Sequence, residues 1–189
     1  GYVLVNSLLT QAQAPLDVAF SQFKARGIQD YIIDLRYNGG GYVSVGNLLA
    51  SYLAGDKAEG KVYAQLRFNR VQSQGNFSFN FSSNANSVQA SRVYVLAGPR
   101  TCSASEQVVM GLRGVGIDAI TIGSTTCGKP VGFIPASRCD NTYLVVNFAS
   151  YNAAGAGDYY AGLSPTCQVE EDFTTPIGLP GDPLVNEAL

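Results

Sequence analysis

The sequence predicts an α/β domain in which a mostly parallel sheet is covered by helices. Three observations lead there. Short apolar runs rich in Val, Ile and Leu recur along the chain, at 28–35, 93–97 and 119–123. Longer segments with helical periodicity lie between them, as at 43–54 and 104–114. Glycine or small polar residues punctuate each change of pattern. Repeated strand–helix–strand units of this kind close into a parallel sheet with helical cover.

The elements follow in order. Residues 2–6 read as a strand. Pro15 to Arg26 reads as a helix, with Leu16, Phe20 and Phe23 on one face and Gly27 as its stop. A strand over 28–35 leads into the turn Asn38-Gly39-Gly40-Gly41, and a helix over 43–54 carries Leu48, Leu49, Tyr52 and Leu53. Residues 61–91 are rich in Asn, Ser and Gln, and Asn76-Phe77-Ser78-Phe79-Asn80-Phe81 alternates with period two. That pattern predicts an exposed hairpin rather than core. Strands are expected at 93–97, 119–123 and 143–151, and a helix at 104–114. Asp182-Pro183 opens a short terminal helix, with Asp at the cap and Pro in the first turn.

A length of 189 residues fits one domain, 1–189. With 46% hydrophobic and 14% charged residues, a packed core is within reach. A net charge of −2 supplies no basic footprint for nucleic acid and no pull to anionic membranes. No apolar run approaches the ~18 residues that a membrane-spanning helix needs. The chain opens Gly-Tyr-Val-Leu-Val without an initiator Met, and reads as a domain excised from a longer protein.

Chemistry is bounded first by what is missing. There is no histidine, so neither a Ser-His-Asp triad nor a Cys-His pair can form. There is no Gly-x-Ser-x-Gly elbow, Walker loop or dinucleotide fingerprint, and no cofactor is expected. The four cysteines show no Cys-x-x-Cys spacing, which argues against zinc. They fit two disulfides in an exported protein or free thiols in a cytosolic one. Cys139 and Cys167, separated by 27 residues, are the first expected pair, and Cys102 and Cys127 the second. The sequons at Asn76 and Asn80 bear on the protein only if a eukaryote secretes it.

Of the four lysines, Lys24, Lys57 and Lys61 lie in polar or charged surroundings, whereas Lys129 follows a hydrophobic strand in Thr126-Cys127-Gly128-Lys129-Pro130. A lysine drawn out of water holds its proton less tightly and can act as a base. Ligands bind open parallel sheets beyond the carboxyl ends of the strands. Three loops emerge there. They hold Asn38–Gly41, Thr101-Cys102-Ser103-Ala104-Ser105-Glu106 and the Lys129 loop. Bare backbone N–H groups, a serine at a helix start and a semi-buried lysine are the parts of an acyl-transfer site. Each part also has a plain reading: a capping box for Ser103 and Glu106, a tight turn for the glycines and a surface turn for Lys129. Ser21-Gln22-Phe23-Lys24 matches a Ser-x-x-Lys motif, but its companion motifs are absent and it is set aside.

Asp34-Leu35-Arg36-Tyr37-Asn38-Gly39-Gly40-Gly41, then Ser103-Ala104-Ser105-Glu106, then Thr126-Cys127-Gly128-Lys129 resemble the C-terminal processing (tail-specific) serine peptidases. The resemblance runs from about residue 2 to the end. It implies a crotonase/ClpP-like spiral of ββα units, with Ser103 as nucleophile and Lys129 as general base. It assigns Gly40, Gly41 and the N–H of Ala104 to the oxyanion hole, and Glu106 and Thr126 to supporting positions. Some members carry a lysine-orienting Gln where this chain has Phe133, and some an Asp where it has Gly114, so the third member of the site is unassigned. Family members usually place a PDZ domain ahead of the core. An upstream PDZ or recognition domain is therefore expected in the full-length protein, with protein or peptide substrates and an exported location: periplasmic, cell-envelope or extracellular. Two other functions are open to such a chain. One is a non-catalytic, retinoid-type binder of apolar ligands, suited to 11 Tyr and 9 Phe. The other is an acyl-CoA enzyme, for which no sequence marker is found.

Overall fold

Alternation along three short strands decides which residues face which layer. Ile33, Val93, Val95 and Ala119 point to one side of the main sheet, and Ile32, Leu96 and Ile122 to the other. The computed structural model describes all residues, 1–189. Its elements in chain order are β1 (Tyr2–Leu4), α1 (Gln13–Ala25), β2 (Ile32–Asp34), α2 (Val43–Ala54), β3 (Val62–Phe68), β4 (Phe77–Asn80) and β5 (Arg92–Ala97). Then come α3 (Ala104–Gly114), β6 (Asp118–Gly123), β7 (Val131–Gly132), β8 (Ala136–Arg138), β9 (Asn141–Tyr143), β10 (Phe148–Tyr151), β11 (Cys167–Gln168) and α4 (Pro183–Ala188).

The main sheet has the order β1-β2-β5-β6-β11 and is parallel at every junction. Helices α1, α2 and α3 cover one face with a core that includes Phe20, Leu49, Leu53 and Leu112. The other face is covered by α4 through Leu184, Val185 and Ala188. The expected α/β class with a mostly parallel, helix-covered sheet is what forms.

A second sheet, antiparallel, has the order β4-β3-β10-β7. This corrects part of the reading of 61–91 as exposed: residues 69–78 are exposed, β3 is not. β3 and β4 do pair as a hairpin, but Tyr63, Ala64 and Leu66 are buried, and Phe81 seals the edge against Tyr63. The run expected as one strand at 143–151 is divided. Tyr143 ends β9 in a small exposed hairpin with β8, and β10 begins only at Phe148. Helix α3 touches both β6 and β3, so it lies between the two sheets.

The C-terminus is tied down by charge. The Arg36 guanidinium donates to Asp34 and to Asp182 at 2.6 Å each, and Tyr2 donates to Asp34 at 2.8 Å. Asp182 also caps α4 by accepting from Leu184 N–H. Burial opposes the Arg36 charge, yet Asp34 and Asp182 hold its pKa above the ordinary value.

Candidate active site

The strands β2, β5 and β6 are neighbours, so the loops after them leave the sheet side by side. Backbone bonds lock these loops together. Cys102 N–H donates to Asn38 O, and Cys127 N–H to Thr101 O, both at 3.1 Å. The Thr101 hydroxyl donates to Leu35 O at 2.7 Å. A disulfide between Cys102 and Cys127, with Cα atoms 5.2 Å apart, joins the second loop to the third.

The other expected pair is a correction: Cys139 and Cys167 are unpaired. Cys139 occupies the tip of the exposed β8–β9 hairpin, where it and Asp140 take positive φ of 47° and 61°. Cys167 is held in β11 against Ile122 of the main sheet, on a different element. Cys102, Glu106 and Cys127 cluster within 4.8 Å, but disulfide sulfurs are not thiolates and offer a metal no anionic sulfur.

Ser103 is the N-cap of α3 with φ 57° and ψ −118°. A non-glycine residue in that region costs about 1–3 kcal/mol and must be over-determined by its surroundings. Here the determinant is Glu106, fully buried one turn on. Its carboxylate accepts from Ser103 N–H at 2.8 Å, so the capping box read from the motif is present. The same carboxylate accepts from the Thr126 hydroxyl at 2.5 Å, Gly128 N–H at 2.8 Å and Lys129 N–H at 2.9 Å. Thr126 Oγ1 in turn accepts from Leu163 N–H at 2.7 Å. One buried carboxylate thus fixes both the serine and the lysine loops through their backbones. Behind it lies Tyr159; burial, reinforced by the negative Glu106, raises the pKa of its hydroxyl.

A cavity of about 500 Å³ opens above these loops, and Ser103, Lys129, Gly39 and Gly41 all line it. Lys129 Nζ stands 5.3 Å from the centroid of the Phe133 ring. The glycine turn is pressed against the serine. A Cβ on Gly40 would lie 2.8 Å from Cys102 O and 3.0 Å from Ser103 Cβ, and one on Gly41 would lie 2.3 Å from Leu8 O. Only glycine permits this approach.

The donors differ from expectation at one position. Gly40 N–H donates to Asn38 Oδ1 at 2.9 Å, so it is spent inside the turn. Ala104 N–H, at the first helical position, and Gly41 N–H have no acceptor in the protein. Asn38 is the residue whose role the sequence reading missed. Besides holding Gly40 and Cys102, it donates to Val5 O at 2.8 Å. Its place at the head of three glycines was the available signal. At position 114 a side chain is excluded, since a Cβ there would lie 2.9 Å from Asn152 Cβ.

Residues 1–169 match the family model described as peptidase family S41. The chloroplastic C-terminal processing peptidase of Tetradesmus obliquus is 28% identical over 174 residues, which is 91% of this chain and 35% of that protein. Among solved structures, a Bacteroides fragilis protein assigned to the S41 proteases superposes with a TM-score of 0.91 at 28% identity, over 100% of this chain and 52% of that one. The photosystem II D1 C-terminal processing protease gives a TM-score of 0.72 at 24% identity, over 90% of this chain and 42% of that one, a likeness of fold. The chain therefore spans about a third of the curated relative and about half of the solved ones.

Proposed function

This chain belongs to peptidase family S41, and we propose that it is a serine endopeptidase in which Ser103 is the nucleophile and Lys129 the general base. The observation that carries this reading is the Glu106 carboxylate, which holds the backbones of Ser103 and Lys129 at the rim of one cavity. Ser103 Oγ attacks the carbonyl carbon of a bound peptide while Lys129 Nζ takes its proton. The tetrahedral oxyanion is met by the N–H groups of Ala104 and Gly41, which the fold leaves without acceptors. Lys129 then returns the proton to the departing amine, and water hydrolyses the acyl-enzyme by the same route reversed. The substrates are unstructured or C-terminal protein segments, brought by an upstream PDZ or other recognition domain. The Cys102–Cys127 bridge fits an exported protein in an oxidising compartment.

A fluorophosphonate probe tests the nucleophile. Labelling at Ser103, lost in Ser103→Ala together with at least ~10³-fold of casein cleavage, is the expected result. Cleavage retained in Ser103→Ala overturns the assignment.

A further inference from the structure

Helix α3 carries into the cavity a second polar side chain that the proposed chemistry does not use. Gln107 lies one turn beyond Ser103, is 4% exposed, and lines the same cavity. Its Oε1 is sealed from bulk water and has no hydrogen-bond partner. A buried amide oxygen is rarely left so, and a half-turn of the amide, which exchanges Oε1 with Nε2, offers the oxygen to a donor in the cavity.

The helix sets the direction of this amide. At 3.6 residues per turn, Gln107 lies about 40° to one side of Ser103 and Glu106 about 60° to the other. Glu106 faces the 126–129 loop through its bonds to Thr126, Gly128 and Lys129. Gln107 therefore faces away from that loop, toward the antiparallel sheet, whose Leu66 and Phe148 also line the cavity. It stands as an amide against a wall of aromatic and aliphatic carbon.

We propose that Gln107 determines specificity: it selects, for the substrate residue seated beside Ser103, a side chain with a large apolar body and a hydrogen-bonding tip, tyrosine rather than phenylalanine. This rests on the reading of Ser103 as nucleophile and of the cavity as the substrate's seat. Leu66, Phe79 and Phe148 take the ring by apolar contact. The tyrosine hydroxyl both donates and accepts, so it can meet either atom of the amide. Phenylalanine would cover the amide without meeting either of its atoms.

The test uses paired peptides that differ only by Tyr or Phe at one position, walked across the sequence. kcat/KM is measured on the wild type, and Kd on Ser103→Ala. At one position Tyr should exceed Phe about tenfold in both quantities, the ratio expected of one neutral hydrogen bond. Gln107→Leu should bring that ratio to about one. Gln107→Glu, which keeps an acceptor, should preserve it and serves if the leucine variant fails to fold. A wild-type ratio near one at every position, or a tenfold ratio that survives in Gln107→Leu, overturns the proposal. So does the absence of peptide binding. Tyrosine-selective binding without cleavage would instead overturn the nucleophile assignment and leave this one standing.

Discussion

Glu106 Oε2 accepts the backbone N–H of Lys129 at 2.9 Å, so the lysine is placed by its main chain rather than by a partner on its side chain. The same oxygen holds Ser103 N–H at 2.8 Å. The separation of Ser103 and Lys129 is thereby referred to a single buried atom. Glu106→Gln removes one of the two acceptor oxygens and turns an NH2 toward backbone donors. Activity should fall at least ~10²-fold, and stability by about 2–3 kcal/mol, since hydrogen bonds to a charged group are being lost. Denaturant titration alongside casein cleavage checks both, and a fully active, fully stable Glu106→Gln would contradict the arrangement.

Lys129→Arg separates charge from proton transfer. A guanidinium places a permanent positive charge beside Phe133 and does not give up its proton near neutral pH. Cleavage should drop as far as in Lys129→Ala, by at least ~10³-fold. Substantial turnover in the arginine variant would assign the base elsewhere.

Non-reducing peptide mapping should find one bridge, Cys102–Cys127, with Cys139 and Cys167 alkylated as free thiols. The double variant Cys102→Ser, Cys127→Ser should unfold about 3–4 kcal/mol more easily on the loop-entropy estimate for 25 residues of separation. It should keep measurable cleavage, because Glu106 still spans both loops. Recovery of a Cys139–Cys167 peptide would refute the pairing.

Acid should release the C-terminal helix. Burial alone would raise the pKa of the Asp182 carboxyl, but hydrogen bonds from Arg36 and from Gly178 N–H and Leu184 N–H outweigh it and lower the pKa below the usual value. A pKa lowered in the folded state contributes stability above the unfolded value of ~3.9, and that contribution is lost as pH falls through the folded one. Asp182→Asn should cost about 3 kcal/mol at neutral pH, as expected on breaking a buried pair. As pH drops below about 4, its Tm should fall less steeply than that of the wild type. Parallel Tm curves for the two proteins would show that Asp182 does not carry the effect.

Much of this was legible in the sequence where local signals agreed. The helices at 43–54 and 104–114 have the bounds their periodicity and flanking glycines predicted. The three loops converge because β2, β5 and β6 are neighbours, which short strand–helix units favour. The second sheet was not legible. Val62–Phe68 alternates as a half-buried strand should, but it is embedded in Asn, Ser and Gln, and its partner β10 lies some eighty residues on. The cysteine pairing failed for a related reason: spacing says nothing of direction, and Cys139 points outward from a two-residue turn without glycine. The engagement of Gly40 by Asn38 was hidden because the motif gives the residues of the turn and not which N–H each side chain takes.

The two sheets divide the labour in a way that bears on how such a protein can change. The loops with Ser103 and Lys129 spring from the parallel sheet, whereas Leu66, Phe79 and Phe148 on the cavity wall belong to the antiparallel one. Substitutions on the inner faces of β3, β4 and β10 can recut the cavity wall without moving the loops that carry Ser103 and Lys129. The wall and the loops are therefore structurally uncoupled, and libraries confined to those three strands are the natural starting point for altering what the cavity accepts.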